Sequence, residues 1–145
     1  MRYQFRVWNL MSKKMMGWGE IFDLPAWEIF PGTPEQRAFN VMQYTGLKDK
    51  NGKEIYEGDI LKAKIPVEIM DNNCHSLDSE TVFCEVIYEK ACFWVKGKTK
   101  EYPWLLNGDK TILHWLTEIT AYDSYPTTIE VIGNIYETPE LLKTK

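Results

Sequence analysis

Residues 44–61 read YTGLKDKNGKEIYEGDIL, and this segment decides the fold because its glycines lie where a β chain must turn. Asn51-Gly52 is typical of a tight hairpin or a bulged turn, since glycine adopts a positive φ without steric cost. Gly58 permits a second sharp bend for the same reason. The segment therefore predicts a tight turn, a short returning strand and a second bend.

The apolar and acidic residues of the same segment complete this prediction. Ile55 and Tyr56 supply the short returning strand, and Asp59 opens the strand that follows. Glu57 and Asp59 flank the bend at Gly58, so we expect both carboxylates to be exposed to solvent.

A calcium-binding loop is the alternative interpretation of "DKNG", because the EF-hand also places a glycine after acidic and amide residues. If Gly52 is the sixth position of such a loop, Leu47 takes the first position and Gly58 the twelfth. The EF-hand requires a bidentate carboxylate at the twelfth position. We therefore interpret the segment as a turn and predict no bound metal.

Alternation of apolar and polar residues predicts β-strands through most of the remaining chain. We expect a hairpin from two N-terminal strands, a strand that ends before Pro66, two strands joined near Glu89-Lys90, and a strand that Gly133 interrupts at a bulge. These strands cover residues 2–8, 15–24, 59–65, 81–89, 91–97 and 128–137.

Three kinds of segment interrupt these strands. Residues 71–80 are polar and predict a loop, whereas residues 112–120 fit either a short helix or a strand. Thr33-Pro34 and Thr138-Pro139 each place a capping residue before a proline, which is typical of a helix start. The second of these predicts a short C-terminal helix.

The sequence thus predicts a mainly β protein, with the strands curled into a small barrel-like sheet and only short helices. We divide the chain into an N-terminal β-hairpin element, residues 1–38, and a barrel-like body, residues 39–145.

The composition indicates the cellular environment in which the protein is expected. The net charge is −4 over 145 residues, so nothing global indicates a nucleic-acid or membrane surface. Three cysteines are an odd number, which disfavours a secreted disulfide scaffold and fits a reducing compartment. With neither a signal-peptide pattern nor a long apolar segment, we expect a soluble protein of the cytoplasm.

Patterns of known catalytic and metal sites are missing from the sequence. The candidate zinc ligands Cys74, His75, Cys84, Cys92 and His114 lack the paired spacing of a zinc knuckle. Each thiol or hydroxyl nucleophile lacks a plausible adjacent base, and no acidic residue is followed two positions later by the lysine typical of metal-dependent nucleases. We expect no catalytic residue, no cofactor and no enzymatic activity.

Binding to a macromolecule is the function that the aromatic content favours. Residues 90–104 interleave lysines with aromatic rings, which is typical of small β-barrels that hold single-stranded nucleic acid. The candidate residues of this segment are Trp94, Lys96, Lys98, Lys100, Tyr102 and Trp104.

A protein interface is the function that we favour over nucleic-acid binding. Six tryptophans exceed what one small core can hide, and aromatic residues are enriched at interfaces. Trp18 in the N-terminal hairpin and Trp94 are therefore candidates for self-association or for binding a protein partner. The single-stranded nucleic-acid interpretation stays open as the alternative.

Two segments resemble a known protein family. "QYTGLKDKNGKEIYEGDIL", residues 43–61, together with "EVIGNIYETPELL", residues 130–142, resembles the YopX family, whose members are encoded largely by phages and prophages. The N-terminal "YQFRVWN" is similar to the usual opening of that family. The resemblance implies a mainly β fold and a phage or prophage accessory role. The family has no established biochemical activity, so no catalytic or binding residue is carried over.

Overall fold

The computed structural model describes residues 4–21, 39–97, 99, 110–118, 120–121 and 125–142, and these residues are mainly β. The strands in chain order are β1 (Phe5–Asn9), β2 (Lys14–Met16), β3 (Phe39–Lys48), β4 (Glu54–Tyr56), β5 (Asp59–Asp71), β6 (Cys74–Glu89), β7 (Cys92–Gly97), β8 (Lys110–Ile112), β9 (Thr120–Ala121), β10 (Tyr125–Pro126) and β11 (Thr128–Asn134). The helices are α1 (Trp18–Ile21), α2 (Leu113–Glu118) and a C-terminal 3₁₀ helix (Pro139–Leu142).

A curled half-barrel sheet and a second antiparallel sheet form the architecture, which confirms the predicted fold class. One sheet has five strands in the order β11-β5-β6-β7-β8, and the other has four in the order β2-β1-β3-β4. The short strands β9 and β10 pair with each other as a separate two-stranded sheet. In the part of the chain that the structure describes, no helix is long and apolar enough to cross a membrane.

The N-terminal hairpin is hydrogen-bonded to the strand that follows it. β1 pairs with β3 from Phe5↔Gln43 to Asn9↔Phe39, so one continuous sheet joins the hairpin element to the start of the barrel-like body. Val7, Ile21 and Phe39 form the small core of this sheet.

The main core lies on the inner face of the five-stranded sheet. Alternate residues of β5 and β6 point inward, as the period-two pattern predicts. Helix α2 closes this core with two buried leucines. The buried cluster comprises Ile55, Leu61, Ala63, Ile65, Val82, Cys84, Val86, Val95, Leu113, Leu116 and Ile129.

The loop predicted for residues 71–80 is wrong, because these residues continue β5 and β6 as a long hairpin. Asn72 and Asn73 have φ values of 48° and 64° and make a two-residue turn. Asparagine tolerates this left-handed conformation, and a turn with two positive φ values matches the twist of the flanking strands.

The strand predicted to end before Pro66 also continues, as far as Asp71. Pro66 pairs with Ser79 of β6, but the pairing of β11 with β5 stops at Lys64. A proline is tolerated in a strand where its missing N–H faces no neighbouring strand. Along β5 the backbone nitrogens point alternately toward β6 and toward β11. The nitrogen of Pro66 points toward the β11 side, and β11 does not extend this far, so no hydrogen bond is lost.

The remaining predictions are confirmed in part. Gly52 and Gly58 have φ values of 83° and 86°, and the register of β11 shifts between Val131 and Gly133. The second N-terminal strand is shorter than residues 15–24, because α1 begins at Trp18. Residues 112–120 contain a helix, and the C-terminal helix is a single 3₁₀ turn. The helix start at Thr33-Pro34 lies outside the described residues.

Candidate functional site

Trp94 and Lys96, two of the predicted binding residues, lie on the outer face of β7. The indole Nε1 of Trp94 donates a hydrogen bond to the carbonyl of Glu89 at 3.1 Å. Lys110 Nζ lies 4.8 Å from the Trp94 ring centroid and 2.9 Å from Glu89 Oε2. One face of the indole therefore already carries a cation, which itself is paired with a carboxylate.

Two lysines of this outer face lie opposite carboxylates on neighbouring strands. Lys62 lies opposite Glu130, and Lys96 lies opposite Glu85. Burial raises the pKa of Glu85, and the charge of Lys96 pulls it back down. Within the described residues, the face around Trp94 therefore offers alternating charges rather than the continuous positive track of a nucleic-acid groove.

Of the other predicted binding residues, the structure describes Trp18 alone, and it lies beside the other sheet. Trp18 begins α1 and is half-buried against the small core of the four-stranded sheet, where its ring centroid lies 5.9 Å from that of Phe5. Lys98, Lys100, Tyr102 and Trp104 lie outside the described residues.

Asp59 is buried, not exposed as the sequence predicted. Its Oδ1 lies 2.5 Å from Arg6 Nη2, and its Oδ2 accepts a hydrogen bond from the Tyr56 N–H at 2.8 Å. The Arg6 guanidinium also stacks over the Tyr56 ring, 4.6 Å from its centroid. Burial raises the pKa of Asp59, although Arg6 opposes this shift. Glu57 is half-buried, and burial raises its pKa as well.

Asp49 joins the Asn51-Gly52 turn to β11, the outermost strand of the five-stranded sheet. Its Oδ1 accepts hydrogen bonds from the N–H groups of Asn51 and Lys53 at 2.9 and 2.8 Å. Its Oδ2 accepts one from Val131 N at 3.0 Å. Burial alone would raise the pKa of Asp49, but these backbone donors lower it below its ordinary value.

These contacts join the two segments, residues 43–61 and 130–142, that resemble the YopX family. Residues 43–61 touch residues 130–142 through Asp49, and Ile135 N donates to the carbonyl of Gly58 at 2.9 Å. The N-terminal strand joins the same place, because the rings of Trp8 and Tyr136 stack 5.5 Å apart. The segments that carry the family resemblance therefore meet at one junction, where their polar groups hold strands together.

The cysteines and acidic residues do not assemble a metal site in the described ranges. Cys84 is buried in the main core, and burial raises the pKa of its thiol to about 12. Such a thiol is not a nucleophile near neutral pH. Cys92 is half-buried, and Cys74 is exposed beside the turn of the long hairpin.

A cleft of about 370 Å³ lies between the two sheets. Its volume suits a small ligand, and its lining mixes apolar side chains with a few polar ones. The residues around it include Gln43, Thr45, Leu47, Tyr88, Phe93 and His114.

The far part of the long β5–β6 hairpin is the strongest candidate for a binding surface. Beyond Lys64 on β5 and Cys84 on β6, no other described strand pairs with these two strands. They continue as a two-stranded ribbon whose inner face is buried at its base, where Ile65 and Val67 are shielded from solvent.

The outer face of this ribbon exposes large apolar side chains beside a second cleft. Met70 is 70% exposed, Leu77 43% and Tyr125 of the adjacent β10 52%. A cleft of about 500 Å³ is lined by Pro66, Leu77, Tyr125 and Pro126, together with Lys64, Asp78, Ser79 and Thr128. We call the exposed apolar group Pro66, Met70, Leu77, Tyr125 and Pro126 the ribbon surface.

The sequence held a signal for the ribbon surface that our prediction missed. Ile65, Val67 and Ile69 alternate with more polar positions up to Asn72-Asn73, which is the pattern of a strand entering a hairpin turn. The polar character of residues 71–80 concealed this pattern, because a two-stranded ribbon can expose polar side chains along most of its length.

Comparisons with known proteins agree with this architecture. The crystal structure of protein EF1440 from Enterococcus faecalis is similar, with a TM-score of 0.55 and 23% sequence identity over 98% of this chain and 99% of that chain. At that identity the likeness supports the fold alone. A comparison with curated proteins finds no match. The family model described as "YopX protein" matches residues 4–143, which include every segment of the junction. The chain therefore belongs to the YopX family.

Proposed function

We propose that this YopX family protein is a small, non-enzymatic accessory protein of a phage or prophage that acts by binding protein. The observation that carries the proposal is the ribbon surface. Large apolar side chains exposed side by side next to a cleft are unusual on a monomeric protein, and they mark protein-interaction sites more often than isolated exposed residues do.

The absence of catalysis is part of this proposal. The buried carboxylates Asp49 and Asp59 are committed to backbone N–H groups and to Arg6. Their contacts join strands and leave them poorly placed to transfer a proton to a substrate. All three thiols are free, which supports our placement of the protein in the reducing cytoplasm of the bacterial host.

A protein partner is favoured over nucleic acid by the charges on each surface. Residues 65–81, which contain the ribbon strands, hold four carboxylates and neither lysine nor arginine. The lysines beside Trp94 face Glu85 and Glu89. An anisotropy titration with labelled single-stranded DNA at low salt should therefore show no binding, and saturable binding that Lys96→Ala weakens would favour the nucleic-acid alternative.

The test of protein binding uses three baits that differ only in exposed side chains. The ribbon variant is Met70→Ser/Leu77→Ser, and the matched control is Trp115→Ala, which removes an apolar side chain that is 62% exposed on α2. Each bait is coupled to resin and incubated with lysate of host cells in which the phage genes are expressed, and its own oligomeric state is measured by light scattering.

The proposal expects a protein, or a second copy of the chain, that binds the wild type and the control but not the ribbon variant. Identical capture profiles for the three baits, together with a monomeric wild-type protein, would contradict it.

A further inference from the structure

The cleft of about 370 Å³ between the two sheets has walls that local contacts hold in place. On β3, the Thr45 hydroxyl donates a hydrogen bond to the carbonyl of Ile55 at 2.7 Å and accepts one from Leu47 N at 3.2 Å. On the other side, β6 and β7 are joined by a two-residue turn in which Lys90 and Ala91 have φ values of 51° and 59°. The cleft is therefore formed before a ligand arrives, which is usual for small-molecule sites.

The walls of this cleft are mainly apolar and partly aromatic. Its apolar lining comprises Leu47, Ile112 and Leu113, and its aromatic lining comprises Tyr88 and Phe93. The ring centroids of Tyr88 and Phe93 lie 4.9 Å apart, with the ring planes at 54°, and Tyr88 is 44% exposed. An exposed ring beside an apolar cleft offers a face on which a planar ligand stacks.

Gln43 supplies the cleft with a polar group that is still free to bind. It lines the cleft, and its side-chain amide makes no hydrogen bond to the described residues. Its backbone carbonyl, in contrast, accepts a hydrogen bond from Glu57 N at 2.9 Å. A side-chain amide presents an acceptor beside a donor. The complementary ligand therefore carries a donor and an acceptor side by side on one edge.

The charges around the cleft favour a neutral ligand. Its described lining residues include neither a lysine or arginine nor an aspartate or glutamate. His114, which also lines the cleft, is 63% exposed and lies 3.1 Å from the carboxylate of Glu118. A phosphate or carboxylate group on the ligand would thus find no permanently charged partner among these residues.

We propose that this cleft binds a small, neutral, planar heteroaromatic molecule whose edge carries a hydrogen-bond donor beside an acceptor, which is the chemistry of free nucleobases and nucleosides. The Gln43 amide pairs with that edge, as glutamine pairs with N6 and N7 of adenine. The Tyr88 ring stacks against the ligand. The inference is independent of the proposed protein-binding function, because Met70 and Leu77 of the ribbon surface lie outside the cleft.

Cys92 provides a direct measure of occupancy, because it lines the cleft and is half-buried. Cys74 is exposed on the long hairpin outside the cleft, so it is an internal reference in the same molecule. The rate at which iodoacetamide modifies each thiol is measured by mass spectrometry of digested protein over a series of adenine concentrations. Purine is the matched probe, since it has the ring system of adenine without the amino group.

The inference expects adenine to slow the modification of Cys92 and to leave that of Cys74 unchanged, with half-maximal protection below about 1 mM. Purine should need a concentration at least about tenfold higher, because it lacks one of the two hydrogen bonds to the amide.

Two variants locate the effect. Gln43→Leu keeps an apolar side chain of similar length, and in this variant adenine should lose its advantage over purine. Met70→Ser/Leu77→Ser is the control and should be protected by adenine like the wild type. Circular dichroism and thermal unfolding check that both variants fold, and the comparison of adenine with purine on the wild type tests the inference without any substitution.

Several results would overturn the inference. They are the absence of Cys92 protection at the solubility limit of adenine, equal slowing of Cys74 and Cys92, equal protection of the wild type by adenine and purine, or a preference for adenine that Gln43→Leu retains. Protection of Cys92 by single-stranded DNA but not by adenine would also overturn it, in favour of nucleic-acid binding. The resin capture with the ribbon variant decides the proposed function separately, so the two failures are distinguishable.

Discussion

The guanidinium of Arg6 on β1 lies 2.5 Å from the carboxylate of Asp59 at the start of β5, and this pair links the two sheets of the protein. Asp59 is 1% exposed and the Arg6 side chain 12%, so both charges are largely removed from water. Removing one partner of such a pair leaves the other charge buried without compensation.

Asp59→Asn should therefore destabilise the protein by about 3 kcal/mol, because it retains the acceptor for the Tyr56 N–H but leaves Arg6 unpaired. Denaturant unfolding at neutral pH measures the change. Lys50→Ala is the control, since its ion pair with Glu130 is exposed and should contribute less than about 1 kcal/mol. Equal effects of the two substitutions would contradict this account of the buried pair.

The pKa of Asp49 predicts a specific dependence of stability on pH. The folded-state pKa lies below the ordinary value of 3.8, so the ionised carboxylate stabilises the fold at pH values above 3.8. This contribution is lost as the pH falls through the folded pKa. Asp49→Asn cannot ionise, so its stability relative to the wild type should be lowest at neutral pH and should recover as the pH falls below about 4.

The measurement for Asp49 is urea unfolding of both proteins at several pH values from neutral to acidic, compared as the difference in free energy of unfolding. A difference that stays constant over the whole range would show that the charge of Asp49 is not what holds the turn against β11.

Gly133 at the bulge of β11 is required for the C-terminal segment to pack. A Cβ at this position would lie 1.9 Å from Thr138 Oγ1 and 3.0 Å from Leu141 Cδ1. Gly133→Ala should therefore destabilise the protein by about 1–3 kcal/mol through overpacking and displace the 3₁₀ helix. Gly19→Ala is the control, because no atom lies within 4 Å of its added Cβ. Thermal unfolding with limited proteolysis of the C-terminal segment checks both, and similar melting temperatures would refute the packing argument.

The free thiols should differ in reactivity by position. Cys74 is exposed, whereas Cys84 is buried with a thiol pKa of about 12. Because the thiolate is the reactive form, a maleimide reagent at pH 8 should modify Cys74 within minutes and Cys84 only after unfolding. Mass spectrometry of digested protein over a time course identifies the modified residue. Rapid labelling of Cys84 in the native protein would mean that the main core opens far more often than its burial indicates.

The local backbone of the fold could be read from the sequence wherever a single residue type determines the conformation. Gly52, Gly58 and Gly133 bend the chain where they were predicted to, because few other residues tolerate those conformations or that closeness of packing. Asn72-Asn73 carries the same kind of information, but the surrounding polar residues led to the wrong prediction of a loop.

Burial of charge could not be predicted, because it depends on partners distant in the sequence. Asp59 follows a glycine and has charged residues close to it in the sequence, so its sequence neighbours alone predicted an exposed side chain. Its partner Arg6 is 53 residues away, and only the pairing of β1 with β3 and of β3 with β4 brings the two together. The ribbon surface was missed for a related reason, since its exposure depends on where β11 and β7 stop.

The two hydrogen-bonding groups that β11 turns away from β5 have a further significance. Ile129 O accepts from Lys50 N, and Val131 N donates to the Asp49 carboxylate, so the outer rim of the five-stranded sheet is occupied by a turn and a side chain. An extended segment of a foreign chain would have to displace this turn before it could pair with Ile129 and Val131, so the turn protects this stretch of the rim from strand addition. One carboxylate thus takes the place of a missing neighbouring strand, and the turn that it holds covers this stretch of the sheet's edge.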